Sequence, residues 1–133
     1  MLSAVPVQVR GISAFRLFAY PDFWEKTRDF YQATLGLPLE FSNPEGGVAL
    51  FRLGGVALLV ERIDREEPES AELVGHIVAI NFEVADAGHA ARVLESEGVP
   101  ITGGPEKQGW GGTLLFVEDP SGNGITLVEL PRG

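Results

Sequence analysis

Few side chains in this sequence are placed to act on a small molecule. Asn81 and Glu83 alternate with Ile80 and Phe82, so in a strand both polar groups take one face and the apolar pair the other. A carboxylate in partly apolar surroundings serves as a general base or pairs with a ligand ammonium, which makes Glu83 the candidate catalytic residue. A rim Glu in contact with water is its plainer role. In Ile125-Thr126-Leu127-Val128 the Thr126 hydroxyl is the polar group of its face and would fix a polar atom of a ligand. Trp110 lies between glycines with few local packing partners, so it either lines a pocket or plugs one. Phe15 and Phe116 would add apolar contact.

The other titratable groups offer less. Glu61 and Glu129 end two similar strands, where they would either meet as paired carboxylates for acid/base work or stay solvated. His76 is an odd number of residues from Ala79, which sends it to the opposite face and toward a structural or exposed role. His89 follows Gly88 on a helix and reads as surface. With no cysteine, the chain has no disulfide, no thiolate metal site and no thiol nucleophile.

These residues depend on the elements that carry them. The clearest is the last: Phe116 to Glu118 and Ile125 to Glu129 are apolar strands on either side of Asp119-Pro120-Ser121-Gly122-Asn123-Gly124, a tight-turn composition. Upstream, Ile12 to Tyr20 reads as a first strand, with Phe15, Leu17 and Ala19 on one face and Arg16 and Phe18 on the other. Pro21-Asp22 opens a helix with Phe23, Thr27, Phe30, Tyr31 and Leu35 as its stripe and Gly36 as its stop. Strands are expected over Leu39 to Ser42, Val48 to Leu53 and Val56 to Ile63, with glycine-containing turns between them. After the acidic run from Asp64 to Glu72, read as a solvated connector, the pattern begins again. His76 to Val84 is a strand, and Asp86 caps a helix with Ala87, Ala90, Val93 and Leu94 on its apolar side, ending at Gly98.

The two halves repeat. Leu35-Gly36-Leu37-Pro38 matches Glu97-Gly98-Val99-Pro100, and Val56 to Glu61 matches Ile125 to Glu129. The second copy is longer, and the extra residues fit a loop from Gly103 to Gly112 that carries Trp110. The expected fold is α+β: one domain of two βαβββ modules, at about 10–63 and 76–131, joined by the acidic linker 64–75. Each sheet has one face covered by its helix and another that needs cover. Pairing the sheets, within the chain or between chains, would make a partly closed, curved sheet around a concave pocket.

Composition narrows the partners. The 133 residues are 44% hydrophobic, enough for one core. A net charge of -9 argues against nucleic acid and against anionic membranes, because phosphate binding needs clustered Lys and Arg. No secretory signal and no membrane-length apolar run is evident, so a cytoplasmic protein is expected.

At this point Asp29-Phe30-Tyr31-Gln32-Ala33-Thr34-Leu35-Gly36-Leu37-Pro38, with Asp119-Pro120-Ser121-Gly122-Asn123, resembles the vicinal oxygen chelate superfamily. That superfamily includes glyoxalase I, extradiol dioxygenases, and fosfomycin and bleomycin resistance proteins. The resemblance runs from Ile12 to Leu130 and implies the two-module fold, which hosts several chemistries. Enzymes of the superfamily hold a divalent metal with His or Gln and Glu from the first and last strands of each module. The matching positions here are Phe15, or Arg16 one residue on if Trp24 is an insertion before the helix; Ala57 or Leu58; Ala79; and Thr126. None is a conventional ligand, so the resemblance implies a member with no metal and no cofactor. Trp110-Gly111, nine residues before Asp119-Pro120, is similar to an element of bleomycin resistance proteins, which are acidic and sequester a cationic drug between aromatic walls.

The expected function is therefore metal-independent binding of a cationic or aromatic small molecule, by a homodimer, with Phe15, Asn81, Glu83, Trp110, Phe116 and Thr126 as contacts. Two enzyme alternatives stand beside it: a lyase or dioxygenase with a metal on His76, Glu61 or Glu129, and a metal-free lyase or isomerase with Glu83 as base. A domain whose pocket has collapsed and that serves only in assembly is the third.

Overall fold

The computed structural model describes residues 8, 13–63, 72, 74–75 and 80–132. Its fold is α+β, built from two βαβββ modules. The first contains β1 (Phe15–Ala19), α1 (Trp24–Asp29), β2 (Leu39–Asn43), β3 (Val48–Leu53) and β4 (Val56–Arg62). The second contains β5 (Ile80–Glu83), α2 (Ala87–Ser96), β6 (Ile101–Lys107), β7 (Thr113–Glu118) and β8 (Gly124–Glu129). Each module forms its own four-stranded mixed sheet, in the orders β1-β4-β3-β2 and β5-β8-β7-β6. In both, the first strand runs parallel to the last and the remaining pairs are antiparallel. Residues 64–71 and 76–79, with most of the connector, His76 and Ala79, lie outside the described residues, as does Ile12.

One hydrophobic core serves both modules. Leu17, Ala19, Phe51, Leu58 and Val60 of the first sheet join Leu115, Val117, Ile125 and Leu127 of the second, with Trp24, Tyr31 and Leu94 from the helices. Strand alternation then turns the other face of each sheet away from this core. Ile80 and Phe82 pack against the core, so Asn81 and Glu83 take the outward face.

The first helical stretch departs from its expected stripe. A 3-10 turn at Pro21–Phe23 precedes α1, and a π-helical segment at Phe30–Thr34 follows it. These change the angular step per residue, so a stripe drawn at the α-helical period misplaces the first turn. Phe23 is 42% exposed, and Trp24 takes its place at 1%. Trp24 starts α1, and its indole donates to the Val60 carbonyl at 3.2 Å. In α2, Asp86 caps the helix as expected, accepting from the His89 N–H at 3.0 Å.

The stretch from Gly103 to Gly112 is a loop only at its end. Its first half belongs to β6, an edge strand that pairs with β7 through two register shifts. Gly and Pro suit such irregular edges. Gly104 has a φ of +82, and a Cβ there would run into the Leu114 carbonyl, so only glycine lets the strands approach.

Candidate functional site

The second sheet brings three of the expected contacts into one row. Asn81 pairs with Thr126, and Thr126 with Phe116, so the three share the outward face on adjacent strands. Gly103 ends the row under the Phe116 ring, where a Cβ would come within 3.1 Å of Cδ2. The next row holds Glu83, Val128, Leu114 and Glu106. Glu118 shares the parity of Phe116, so Glu83, Glu106 and Glu118 make this face acidic.

The remaining expected contacts stand apart from the row. Trp110 lies in the turn between β6 and β7, closed by the Gln108 N–H on the Gly112 carbonyl at 2.8 Å. It is 55% exposed, and its ring folds over Gly112, where a Cβ would collide with it. Phe15 is in the other module, on the face that Leu17 and Ala19 turn toward the core, so within one chain it does not join the row.

A cleft of about 590 Å³ opens beside the free edge of β5. Leu35 and Leu37 line one wall, Leu53 and Val56 at the β3–β4 tip another, and Asn81 and Glu83 reach it from the strand. Sequence reasoning missed this wall. Its signal was two apolar residues flanking Gly54-Gly55, where a solvated hairpin tip would carry polar ones.

The strand-end carboxylates do not meet. Glu61 grips Arg16 on the outward face of the first sheet, accepting from Nε at 3.0 Å and Nη2 at 2.7 Å. That hydrogen bond, then the charge of Glu61, raises the Arg16 pKa above its usual value. Glu129 instead accepts from the Ala87 N–H at 2.8 Å, at the start of α2. A divalent ion needs several carboxylates or imidazoles converging on one point. Among the described residues no three His, Asp or Glu side chains do so. The outward faces of the first and last strands offer Arg16, Glu61, Asn81, Glu83 and Thr126; the two carboxylates stand on different sheets, Glu61 is held by Arg16, and the set does not fit such an ion.

The turn after β7 is polar and buried for another reason. Asp119 Oδ1 accepts from the backbone N–H groups of Ser121 and Asn123, both at 2.9 Å. Its Oδ2 accepts from Tyr31 Oη and Asn123 Nδ2, also at 2.9 Å. Asn123 Nδ2 donates to the Phe18 carbonyl at 2.8 Å, and the Ser121 and Thr27 hydroxyls are 2.8 Å apart. Burial pushes the Asp119 carboxyl up despite these donors, and pushes the Tyr31 phenol well above its usual range. This network ties the second module to β1 and to the first helix. It is architecture, with every polar group spoken for.

Known proteins share this architecture. TnmS3, an antibiotic binding protein from Streptomyces sp. CB03234, superposes with a TM-score of 0.71 at 23% identity, over 96% of this chain and 100% of that one. A glyoxalase/bleomycin resistance protein/dioxygenase superfamily member from Sphaerobacter thermophilus DSM 20745 gives 0.68 at 26% identity, over 92% and 100%. Lactoylglutathione lyase from Agrobacterium tumefaciens gives 0.63 at 20% identity, over 91% and 94%. Comparison with curated proteins gives no match. The family model of the Glyoxalase/Bleomycin resistance protein/Dioxygenase superfamily matches residues 18–127, and its span takes in both halves of the Tyr31–Asp119 contact and the Asn81–Thr126–Phe116 row. The chain belongs to that superfamily.

Proposed function

We propose that this protein binds a cationic or aromatic small molecule without a metal, on the outward face of its second sheet. The observation that carries this is the register Asn81–Thr126–Phe116, which sets an amide, a hydroxyl and an aromatic ring side by side. Glu83 in the adjacent row would pair with a ligand cation, and Glu106, Glu118 and the net charge of -9 favour the same sign. Trp110 is the exposed aromatic near enough in the chain to swing from Gly112 onto a bound ring. The likeness to TnmS3, an antibiotic binding protein, supports the same class of activity.

Two further parts of the proposal follow from the outward faces. Each carries apolar side chains away from the core, such as Leu50 and Leu59 on one and Leu114 and Phe116 on the other, so a two-fold pair of chains would cover both at once. A cytoplasmic location suits a cysteine-free, acidic domain.

Thermal unfolding of chelator-treated protein tests the proposal, because a ligand that prefers the native state raises the midpoint. No shift is expected with Mn, Fe(II), Co, Ni or Zn ions, and a saturable rise is expected with a cationic aromatic compound, lost in Asn81→Ala. A saturable rise with one of the ions would overturn metal independence and favour the lyase or dioxygenase alternative.

A further inference from the structure

The helix side of the second sheet carries a cavity of its own, of about 270 Å³, where the end of the first helical stretch meets α2. Leu94 and Leu127, both buried, reach its floor, and Leu35, Val84, Ala90 and Val93 make its walls. The four wall residues are half-buried, so part of each apolar side chain is left to the cavity. In α2 the buried residues are Ala87, Ala91 and Leu94, while Ala90 and Val93 turn to this recess. Protein interiors are close-packed, and an apolar recess that no side chain fills gains by admitting an apolar group. Leu35, Val84 and Leu127 also line the cleft beside β5 and stand between the two. The outward faces, which a pair of chains would cover, lie across the sheet from this cavity.

Its lip is charged at one place. Asp86 stands there, about one helical turn before Ala90 and two before Val93, so the three share a side of α2. The Asp86 Oδ1 accepts from the His89 N–H at 3.0 Å, and a carboxylate has acceptor sites to spare for a ligand. That N–H, first among its partners, lowers the Asp86 pKa, so the group is charged at neutral pH. His89 also lines the lip, and no lysine or arginine does; Arg92 acts on Asp86 from outside the lining. A cation suits this lip and an anion does not. The rise from Asp86 to Val93 is about 10 Å, the length of an aromatic ring with a short alkylammonium tail.

We propose that this cavity is a second binding site, which takes the ring of an arylalkylamine against Val84, Ala90 and Val93 and its ammonium on the Asp86 carboxylate. An apolar cavity of about 150 Å³ holds a benzene ring, so the larger volume here takes a ring and a short tail. The apolar contact carries most of the affinity, because an ion pair open to water contributes little. The site goes beyond the binding proposed on the outward face and shares no residue with the Asn81–Thr126–Phe116 row.

Methyl-resolved NMR titration of the full chain with phenylpropylamine tests it, phenylpropanol and phenylpropanoate serving as neutral and anionic counterparts. Saturable shifts are expected at Val84, Val93 and Leu94, with the amine binding most tightly and the anion least. Asp86→Asn keeps the helix cap, since Asn caps as well as Asp, and should weaken the amine by about two- to fivefold while leaving the alcohol unchanged. Ala90→Leu fills the recess and should abolish these shifts, whereas Asn81→Ala should leave them in place. No saturable shift at Val84, Val93 and Leu94 in the unaltered chain overturns the proposal, and so does equal affinity for amine and alcohol or an amine affinity unchanged in Asp86→Asn. Shifts confined to Leu114 and Thr126 and lost in Asn81→Ala put the amine on the outward face: they sink this inference and leave the proposed function standing.

Discussion

Tyr31 Oη donates to Asp119 Oδ2 at 2.9 Å across the middle of the molecule, joining the first helical stretch to the last turn. The Tyr31 ring lies between Phe51 of the first module and Phe82 of the second, each about a ring contact away at 6.2 Å between centroids. The two sequence patterns by which the chain resembles its superfamily, Phe30-Tyr31 and Asp119-Pro120-Ser121-Gly122-Asn123, therefore meet in one buried hydrogen bond. They specify how the modules dock. That is why they say little about what is bound.

Removing the phenol oxygen should be costly for stability alone. In Tyr31→Phe the ring contacts survive, while Asp119 keeps three donors and loses its fourth. A loss of about 1–3 kcal/mol is expected from a buried acceptor left short. Urea unfolding of Tyr31→Phe, Asp119→Asn and the double variant measures it. Clear non-additivity is the expected result, and additive effects would show that the contact is not a coupled one.

Two carboxyls should respond to pH with opposite signs. Asp119 has its folded pKa raised, by burial first, so the folded chain holds that proton more tightly than the unfolded chain. Its contribution is present below the ordinary carboxyl range, near about 4, and is lost as pH rises through the raised value. Asp86 has its pKa lowered, chiefly by the His89 N–H, so its contribution is present above that range and is lost as pH falls through the lowered value. Stability measured against pH should therefore fall with rising pH for wild type relative to Asp119→Asn. Relative to Asp86→Ala, the wild-type advantage should vanish in acid. A flat difference contradicts burial as the cause at Asp119, or the His89 N–H as the chief cause at Asp86.

Gly104→Ala should disturb β6 and little else. The residue would need a left-handed backbone conformation, at a cost of about 1–2 kcal/mol, and its methyl group would press on the Leu114 carbonyl. Faster exchange of the β6 and β7 amides, with α1 amides unchanged, is the expected pattern. Uniform loss of protection would mean that this edge is coupled to global unfolding.

Strands β3 and β4 are legible in the sequence because alternation and glycine turns both mark them, and β3 agrees to the residue. The same period places Asn81, Glu83 and Thr126 on an outward face before any coordinates are known. The irregular pieces are harder to read. β6 contains two glycines and a proline, which read as a loop until the pairing with β7 absorbs them. Trp24 hides behind a 3-10 turn that breaks the helical period. Arg16 and Glu61 lie 45 residues apart, and only the parallel pairing of β1 with β4 sets them side by side. Local pattern carries element type and face; it does not carry which strands are neighbours.

The two tryptophans offer a direct view of the proposed binding face. Trp24 is buried and hydrogen-bonded to Val60, whereas Trp110 is 55% exposed over Gly112. Iodide should therefore quench Trp110 and spare Trp24, and Trp110→Phe should leave an emission that is blue-shifted and nearly unquenched. A ligand stacked on Trp110 would protect it from iodide and shift its emission. Truncating a stacked aromatic at the centre of a contact costs about 2 kcal/mol or more, so Trp110→Ala should weaken binding at least about tenfold. Affinity that survives in Trp110→Ala but falls in Asn81→Ala would confine the ligand to the strands and remove the turn from the site. Iodide access that stays the same at saturating ligand would lead to that conclusion without any substitution.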